Sequence, residues 1–212
     1  MRRQIFAIDQ YYHIFNRGVE KRDIFMDRFD AKRFIESMHE FNSLENIGSL
    51  YAIKFDPQKK TLENSTQLVS IIAYCLNPNH YHLILQPKIE NGISMYMKKL
   101  GGGYSRYFNE RYKRAGSLFA GSFKAVHIEN NERLLHVSAY VNLNNKVHKL
   151  SDPVIKSLSS WGEYTSEGIK GICDCGDILN QFSSKEEYRE FAQYTLPSII
   201  QKKDMEKENL YM

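Results

Sequence analysis

His80 and His82 are separated by one residue, and that spacing carries chemistry. In a strand, residues two apart point to the same face, so both imidazoles project together while Tyr81 enters the opposite layer. Two neutral imidazoles on one face make half of a metal site. A ligand-free pair of surface histidines is the ordinary alternative. A second group lies further along, at Tyr140 and Asn144. Residues four apart share a helix face, so these two stand one turn apart, and His136 and His148 extend the same stripe. Leu134, Val137 and Val141 lie beside that stripe, where they can face a sheet. The plain alternative for Tyr140 is a core-edge tyrosine with a hydrogen-bonded hydroxyl, in a chain that has 14 tyrosines.

The elements that must position these groups follow from patterning. Tyr11 to Arg17 reads as a strand ending at Gly18, and Asp27 to Phe41 has the apolar spacing of an amphipathic helix. Residues 42–66 read as a long connection with a short strand at Leu50–Phe55. Val69 to Leu76 is β-branched and apolar, hence a buried strand running to the Asn77-Pro78 turn. His80 to Gln86 makes the second arm of that hairpin. A helix is predicted over Gly92 to Arg114, although Gly101-Gly102-Gly103 should weaken or bend it at about 1 kcal/mol each. Leu118 to Glu129 reads as a strand. A helix capped by Asn130 or Asn131 then runs to about His148. The order strand, helix, strand, strand, helix, strand, helix is that of an α+β, ferredoxin-like (split βαβ) core, with an antiparallel sheet and helices on its faces. The expected organisation is a domain over residues 1–150 and a C-terminal extension over 151–212. In the extension, Trp161 and Tyr164 should anchor back onto the core, Ser184 to Tyr194 should be helical, and the last dozen residues should fray.

Composition narrows the function classes. At 42% hydrophobic and 25% charged residues the balance is globular. The apolar runs fall far short of the roughly 20 residues a membrane span needs, and the N-terminus lacks the apolar stretch of a signal peptide. Three cysteines, Cys75, Cys173 and Cys175, fit a reducing cytoplasm better than a disulfide framework. The net charge of +4 is uneven: residues 1–150 hold 22 basic against 14 acidic residues, and residues 151–212 hold 7 against 11. Lys98 to Lys124 carries seven basic residues against the single acid Glu110, interleaved with Tyr104, Tyr107, Phe108, Tyr112, Phe119 and Phe123. Mixed cationic and aromatic side chains suit phosphates and unstacked bases, and a solvated helix face is an equal alternative.

The strings FNRGVEKRDIF, YCLNPNHYHLILQP, ISMYMKKLGGGYSRYFNERYKRAGSLFAGSFKA and ERLLHVSAYVNLN resemble the HUH-type single-tyrosine transposases, and within them the REP-associated tyrosine transposase branch. The resemblance runs from about Tyr11 to His148, with SSWGEY and EEYREF echoing the branch's C-terminal extension. It implies that His80 and His82 are the metal-binding pair, Tyr140 the nucleophile, and Asn144 the amide that completes a site for Mg²⁺ or Mn²⁺. It further implies single-stranded or hairpin DNA as partner. From the density of basic and aromatic residues and the end of the first strand, the expected contacts come from among Asn16, Arg17, Lys98, Arg106, Asn109, Arg111, Arg114, Phe123 and Lys124. A bacterial cytoplasmic setting is implied as well, and either a homodimer or a monomer is compatible. Two stretches differ from the family's usual pattern: Ser122 follows Gly121 where a basic residue is common, and Asn145, Lys146 and Val147 follow Asn144 where Asn-Pro and an arginine are usual.

A tyrosine hydroxyl titrates near pH 10 and is a poor nucleophile at neutrality, so a bound divalent cation that polarises the phosphate is what the reaction would need. The implied chemistry is attack on a phosphodiester to leave a 5′-phosphotyrosine and a free 3′-hydroxyl. Two rival readings stand beside it. One is a ferredoxin-like module that grips single-stranded DNA or RNA without cutting it. The other is a structural zinc site built from His80, His82, Cys173 and Cys175, although Cys-x-Cys lacks the usual gap between zinc cysteines.

Overall fold

The structure is a computed structural model that describes residues 5–45, 48, 50, 66–148 and 158–208. Most of the expected Leu50–Phe55 strand lies outside the described residues; Leu50 itself is helical and buried. Strand β1 spans Tyr11–Arg17 and alternates between buried and half-buried positions, with Tyr12, Ile14 and Asn16 on the fully buried side. Helix α1 spans Arg28–Glu40. Its N-cap is Asp27, whose carboxylate accepts from the amides of Phe29 (2.9 Å) and Asp30 (3.0 Å). Strands β2 (Val69–Asn77) and β3 (His80–Pro87) form the hairpin, and β2 is buried throughout.

Helix α2 spans Gly92–Arg111. It runs unbroken through its three glycines, and Gly103 shows why one of them is needed. A Cβ there would lie 2.5 Å from a ring carbon of Phe41, the residue that ends α1. Strand β4 covers only Lys124–Ile128, shorter than the predicted Leu118–Glu129. Leu118 to Phe123 instead closes a loop against the end of β1, with the Ala120 amide donating to Arg17 O (2.9 Å) and the Asn16 side-chain amide donating to Gly121 O (3.1 Å).

Helix α3 (Asn131–Asn142) is capped by Asn130, whose side chain accepts from Arg133 N at 2.9 Å. The predicted continuous helix to His148 is interrupted. Leu143 leaves helical geometry at φ −107°, ψ 15°, and a short helix α4 resumes over Asn144–Val147. The break falls where Asn142 is held from outside: its amide donates to Tyr188 Oη (2.8 Å), its side-chain oxygen accepts from Ser160 Oγ (2.6 Å), and its carbonyl accepts from Ser159 Oγ (3.0 Å).

The chain continues as β5 (Leu158–Ser159), α5 (Trp161–Thr165), α6 (Gly176–Leu179) and α7 (Lys185–Glu208). Ser184 Oγ accepts from Glu187 N at the start of α7, the capping expected from the sequence. The helix does not end near Tyr194; of the last dozen residues, 201–208 are helical and 209–212 lie outside the described residues. It passes Pro197 and continues to Glu208, with Ile199 packed on the core and Lys203 against His148.

The five strands lie in the order β4-β1-β3-β2-β5, all neighbours antiparallel, so the first four have the ferredoxin-like order and β5 extends the edge. One face of the sheet presents Tyr12, Ile14, Tyr81, Leu83 and Leu85 to a core that includes Phe34 and Met38 of α1 and Tyr96, Leu100, Tyr104 and Phe108 of α2. The other presents Ala73, Cys75 and Ile84 to Leu134, Ala139 and Val141 of α3 and to Tyr164, Tyr188 and Ala192.

Candidate functional site

The second face carries the histidines, and strand register explains how they meet. Arg17 lies opposite His80, which lies opposite Asn77. In the next row Lys124 lies opposite Phe15, Phe15 opposite His82, and His82 opposite Cys75. Directly paired residues share a face. Tyr81 goes the other way, buried with its ring edge-on to Phe119 at 5.8 Å.

His80 and His82 project together, their ring centroids 5.2 Å apart. His148, just beyond α4, completes a triad: one ring nitrogen from each of the three histidines lies within 4.8 Å of the others. Asn144 is fully buried and its Oδ1 is 3.3 Å from His80 Nε2. The Asn77 amide sits between them, donating to Asn144 Oδ1 (2.7 Å) and to His80 Nε2 (2.9 Å), while His80 Nδ1 donates to Asn79 Oδ1 (2.6 Å). Tyr140 packs its ring edge-on to His82 at 5.4 Å and to His13 at 5.7 Å. Tyr140 and Asn144 thus reach one site from two short helices rather than from one long one.

Burial keeps the imidazoles neutral. Desolvation lowers His80 to about 4, and the Lys203 ammonium also disfavours its cation, against a smaller raising effect of the Asn144 hydrogen bond. Desolvation, reinforced by His13, His80, His148 and Lys203, holds His82 well below its ordinary value. A divalent cation fits this donor set. Two acceptors, an imidazole nitrogen and an amide oxygen, converge in a buried place that an electropositive N–H now bridges, and the neutral imidazoles offer lone pairs rather than protons. His80, His82 and Asn144, with His148, are the residues that would hold it.

The site opens into a cavity of 450 Å³ whose lining includes Arg17, Lys21, Lys124, Tyr140 and Lys203 besides the histidines. A second cleft, lined by His13, Arg133, His136 and Lys202 among others, shares Phe15, Tyr140 and Lys203 with it. Of the residues expected to contact DNA, Arg17 and Lys124 line the first cavity. Asn16 also borders it, but its amide is engaged by Gly121 O and its oxygen by Arg17 N (2.8 Å).

Apart from Lys124, the basic-aromatic segment does not lead to Tyr140, because α2 lies across the opposite face of the sheet. Arg111 pairs with Asp27 (2.7 Å) and with the fully buried Asp30 (2.6 Å). Arg106 pairs with Glu110 at 2.8 Å in solvent. Arg114 bonds Asn109 Oδ1 (2.6 Å), and Asn109 donates to Gly116 O (3.0 Å). Phe123 stacks on Phe6 at 6.3 Å, and Lys98 is exposed on α2. The helix's aromatic rings are core: Tyr104 donates to Ile24 O (2.5 Å), and Tyr107 and Tyr112 donate to Asp30 (3.0 and 2.8 Å).

The zinc arrangement does not form among the described residues: the histidines group with His148 and no cysteine, and Cys173 and Cys175 pack into different core clusters.

Sequence reasoning missed His13, Asn77 and Lys203 as neighbours of the site. His13 was legible in principle, since it shares the period-two face of Phe15 and Arg17. His148 was on the Tyr140 stripe and needed only the turn at Leu143 to reach His80.

The site is an antiparallel ferredoxin-like sheet whose His80 and His82 lie beside the helical Tyr140. Residues 60–144, less than half of the chain, match the family model of IS200-like transposases. The chain therefore resembles that family, as its strings indicate. In fold it is similar to a solved REP-associated tyrosine transposase bound to a REP hairpin, at 14% identity and a TM-score of 0.50 over 86% of this chain and 94% of that one. No curated protein sequence matches. Among the described residues no helix is long and apolar enough to cross a membrane.

Proposed function

We propose that this chain is a transposase that cleaves and rejoins single-stranded DNA through Tyr140, acting from residues 1–150 with residues 151–212 as an extension that braces the tyrosine helix. The observation that carries the reading is the convergence of Tyr140, His80 and His82 on one cavity bordered by Arg17, Lys21, Lys124 and Lys203, with Asn144 buried against His80. The histidines and Asn144 would hold Mg²⁺ or Mn²⁺, which supplies Lewis-acid polarisation of the phosphate. Arg17, opposite His80 on the sheet, would bind a phosphate oxygen, and Lys124, opposite Phe15, a neighbouring one. Tyr140 Oη attacks phosphorus, the P–O3′ bond breaks, and the leaving oxygen takes up a proton to become a 3′-hydroxyl. The product is a 5′-phosphotyrosine, and attack by another 3′-hydroxyl reverses it without an external energy source. The solved relative's REP hairpin makes hairpin DNA the first substrate to try.

The test is to incubate the full chain with labelled hairpin and single-stranded DNA libraries and Mn²⁺, then resolve covalent adducts under denaturing conditions. An adduct that Tyr140→Phe abolishes supports the reading. DNA binding without any adduct would favour a non-catalytic single-strand binder instead.

A further inference from the structure

His13 stands in the third row of the same sheet face, opposite Ile84 and diagonal to His82. Its Nε2 is 2.8 Å from His82 Nδ1, and the two rings stack with centroids 5.1 Å apart at 19°. Phe15 covers both rings, 5.0 Å from His13 and 5.8 Å from His82. Tyr140 meets both edge-on, at 82° and 81°. Nothing in the proposed reaction uses His13, yet this half-buried imidazole is hydrogen-bonded directly to a ligand histidine.

A bond between two neutral imidazoles needs one N–H and one lone pair, and the two directions are not equivalent for His82. If His13 donated, His82 Nδ1 would be the acceptor, its proton would sit on Nε2, and no lone pair would remain for an ion. If His82 Nδ1–H donates, Nε2 keeps its lone pair. A ligand histidine is ordinarily oriented by an acceptor at its other nitrogen, most often a carboxylate or a carbonyl. Here the available acceptor is His13 Nε2.

We propose that His13 is a positioning residue that accepts the Nδ1 proton of His82, fixing that ring in the tautomer and orientation in which Nε2 can ligate. It follows that His13 carries its own proton on Nδ1. This rests on the metal reading above and adds a residue and a proton position to it.

The test uses the full chain. In the metal-free protein with ¹⁵N-labelled histidine, nitrogen chemical shifts should report His82 protonated on Nδ1 and His13 protonated on Nδ1, with coupling across the Nδ1–H···Nε2 bond. Titration with Mn²⁺ followed by electron paramagnetic resonance then compares the wild type with His13→Ala and His13→Gln. Loss of an orienting partner should weaken Mn²⁺ binding by ~10–100-fold in His13→Ala. His13→Gln, whose side-chain oxygen reaches the same proton, should recover most of that loss. A purely structural His13 would show no such rescue. Finding His82 protonated on Nε2, or Mn²⁺ binding by His13→Ala within about twofold of wild type, overturns the inference. Should His13→Ala fail to fold, the wild-type tautomer and His13→Gln decide it. A wild type that binds no Mn²⁺ overturns the metal reading itself, and an absent DNA adduct alongside tight Mn²⁺ binding overturns only the strand-cleavage reading.

Discussion

The two faces of the sheet use polar side chains in opposite ways. Beneath α1 and α2, charges and hydroxyls answer one another: Asp30, fully buried, accepts from Met26 N, Tyr107, Tyr112 and Arg111, and Lys99 donates to the carbonyls of Ser43, Leu44 and Glu45. Beneath α3 and α7, neutral imidazoles and an amide converge around a cavity whose cations, Arg17, Lys21 and Lys124, are exposed. The face with the denser charge is the one whose buried charge is paired. Charge density marks where a protein is polar, and only pairing decides whether that polarity is left over for a ligand.

The sharpest way to break this comparison is to remove one hydroxyl from each face. Tyr140→Phe should reduce the covalent DNA adduct below detection while leaving thermal stability nearly unchanged, since Tyr140 is only half-buried. Tyr104→Phe should do the reverse. It deletes a buried hydrogen bond to Ile24 O and should lower stability by about 1 kcal/mol, with adduct yield intact. Denaturant melts and adduct gels on both variants check the pair, and any loss of adduct in Tyr104→Phe contradicts the assignment.

Cations give the next contrast. Arg111→Ala should destabilise the fold by about 2–3 kcal/mol, because it strips a charged partner from buried Asp30. That figure is held below a fully buried pair's because Arg111 is itself 31% exposed. Arg17→Ala with Lys124→Ala should leave stability alone and flatten the salt dependence of single-strand binding, by roughly 0.7 in log–log slope for each phosphate no longer neutralised. Arg106→Ala should move neither quantity, its partner Glu110 being as solvated as itself. Binding isotherms at several salt concentrations decide the matter; a slope that responds to Arg106 and not to Arg17 would restore α2 as the DNA face.

Most of the fold was legible because its determinants are local. Alternation in Tyr11–Arg17, the β-branched run Val69–Leu76 and the His-x-His arm each commit their own strand, and the element order then selects the sheet. What was illegible depended on partners distant in sequence. Leu118–Phe123 has strand-like residues, but Asn16 pulls Gly121 into a loop. The helix through Tyr140 has no internal breaker, and it stops where Ser159, Ser160 and Tyr188 engage Asn142. The polar end of α7 reads as frayed until Lys203 is seen to reach His148. His80, His82 and Tyr140 could be singled out from spacing and resemblance, whereas His13 needed strand register.

The smallest expected effect separates the two sources of the glycine run in α2. Glycine in a helix interior costs about 1 kcal/mol against alanine through backbone entropy, so three in succession should have bent α2. The helix runs unbroken, which means that packing on the first face outweighs the local preference. At Gly101 and Gly102 an added Cβ meets nothing within 4 Å. Gly101→Ala and Gly102→Ala should each stabilise by about 0.5–1 kcal/mol. At Gly103 the same methyl would lie 2.5 and 2.7 Å from carbons of the Phe41 ring. The propensity gain there is offset by displacing a buried aromatic residue, and overpacking of that kind typically costs about 1–3 kcal/mol. Gly103→Ala should therefore be neutral to destabilising, and Gly103→Ala combined with Phe41→Leu should regain what the single change loses. Thermal melts of the three single variants and the double variant test this. If all three glycines respond alike, packing against Phe41 does not set the approach of α1 to α2.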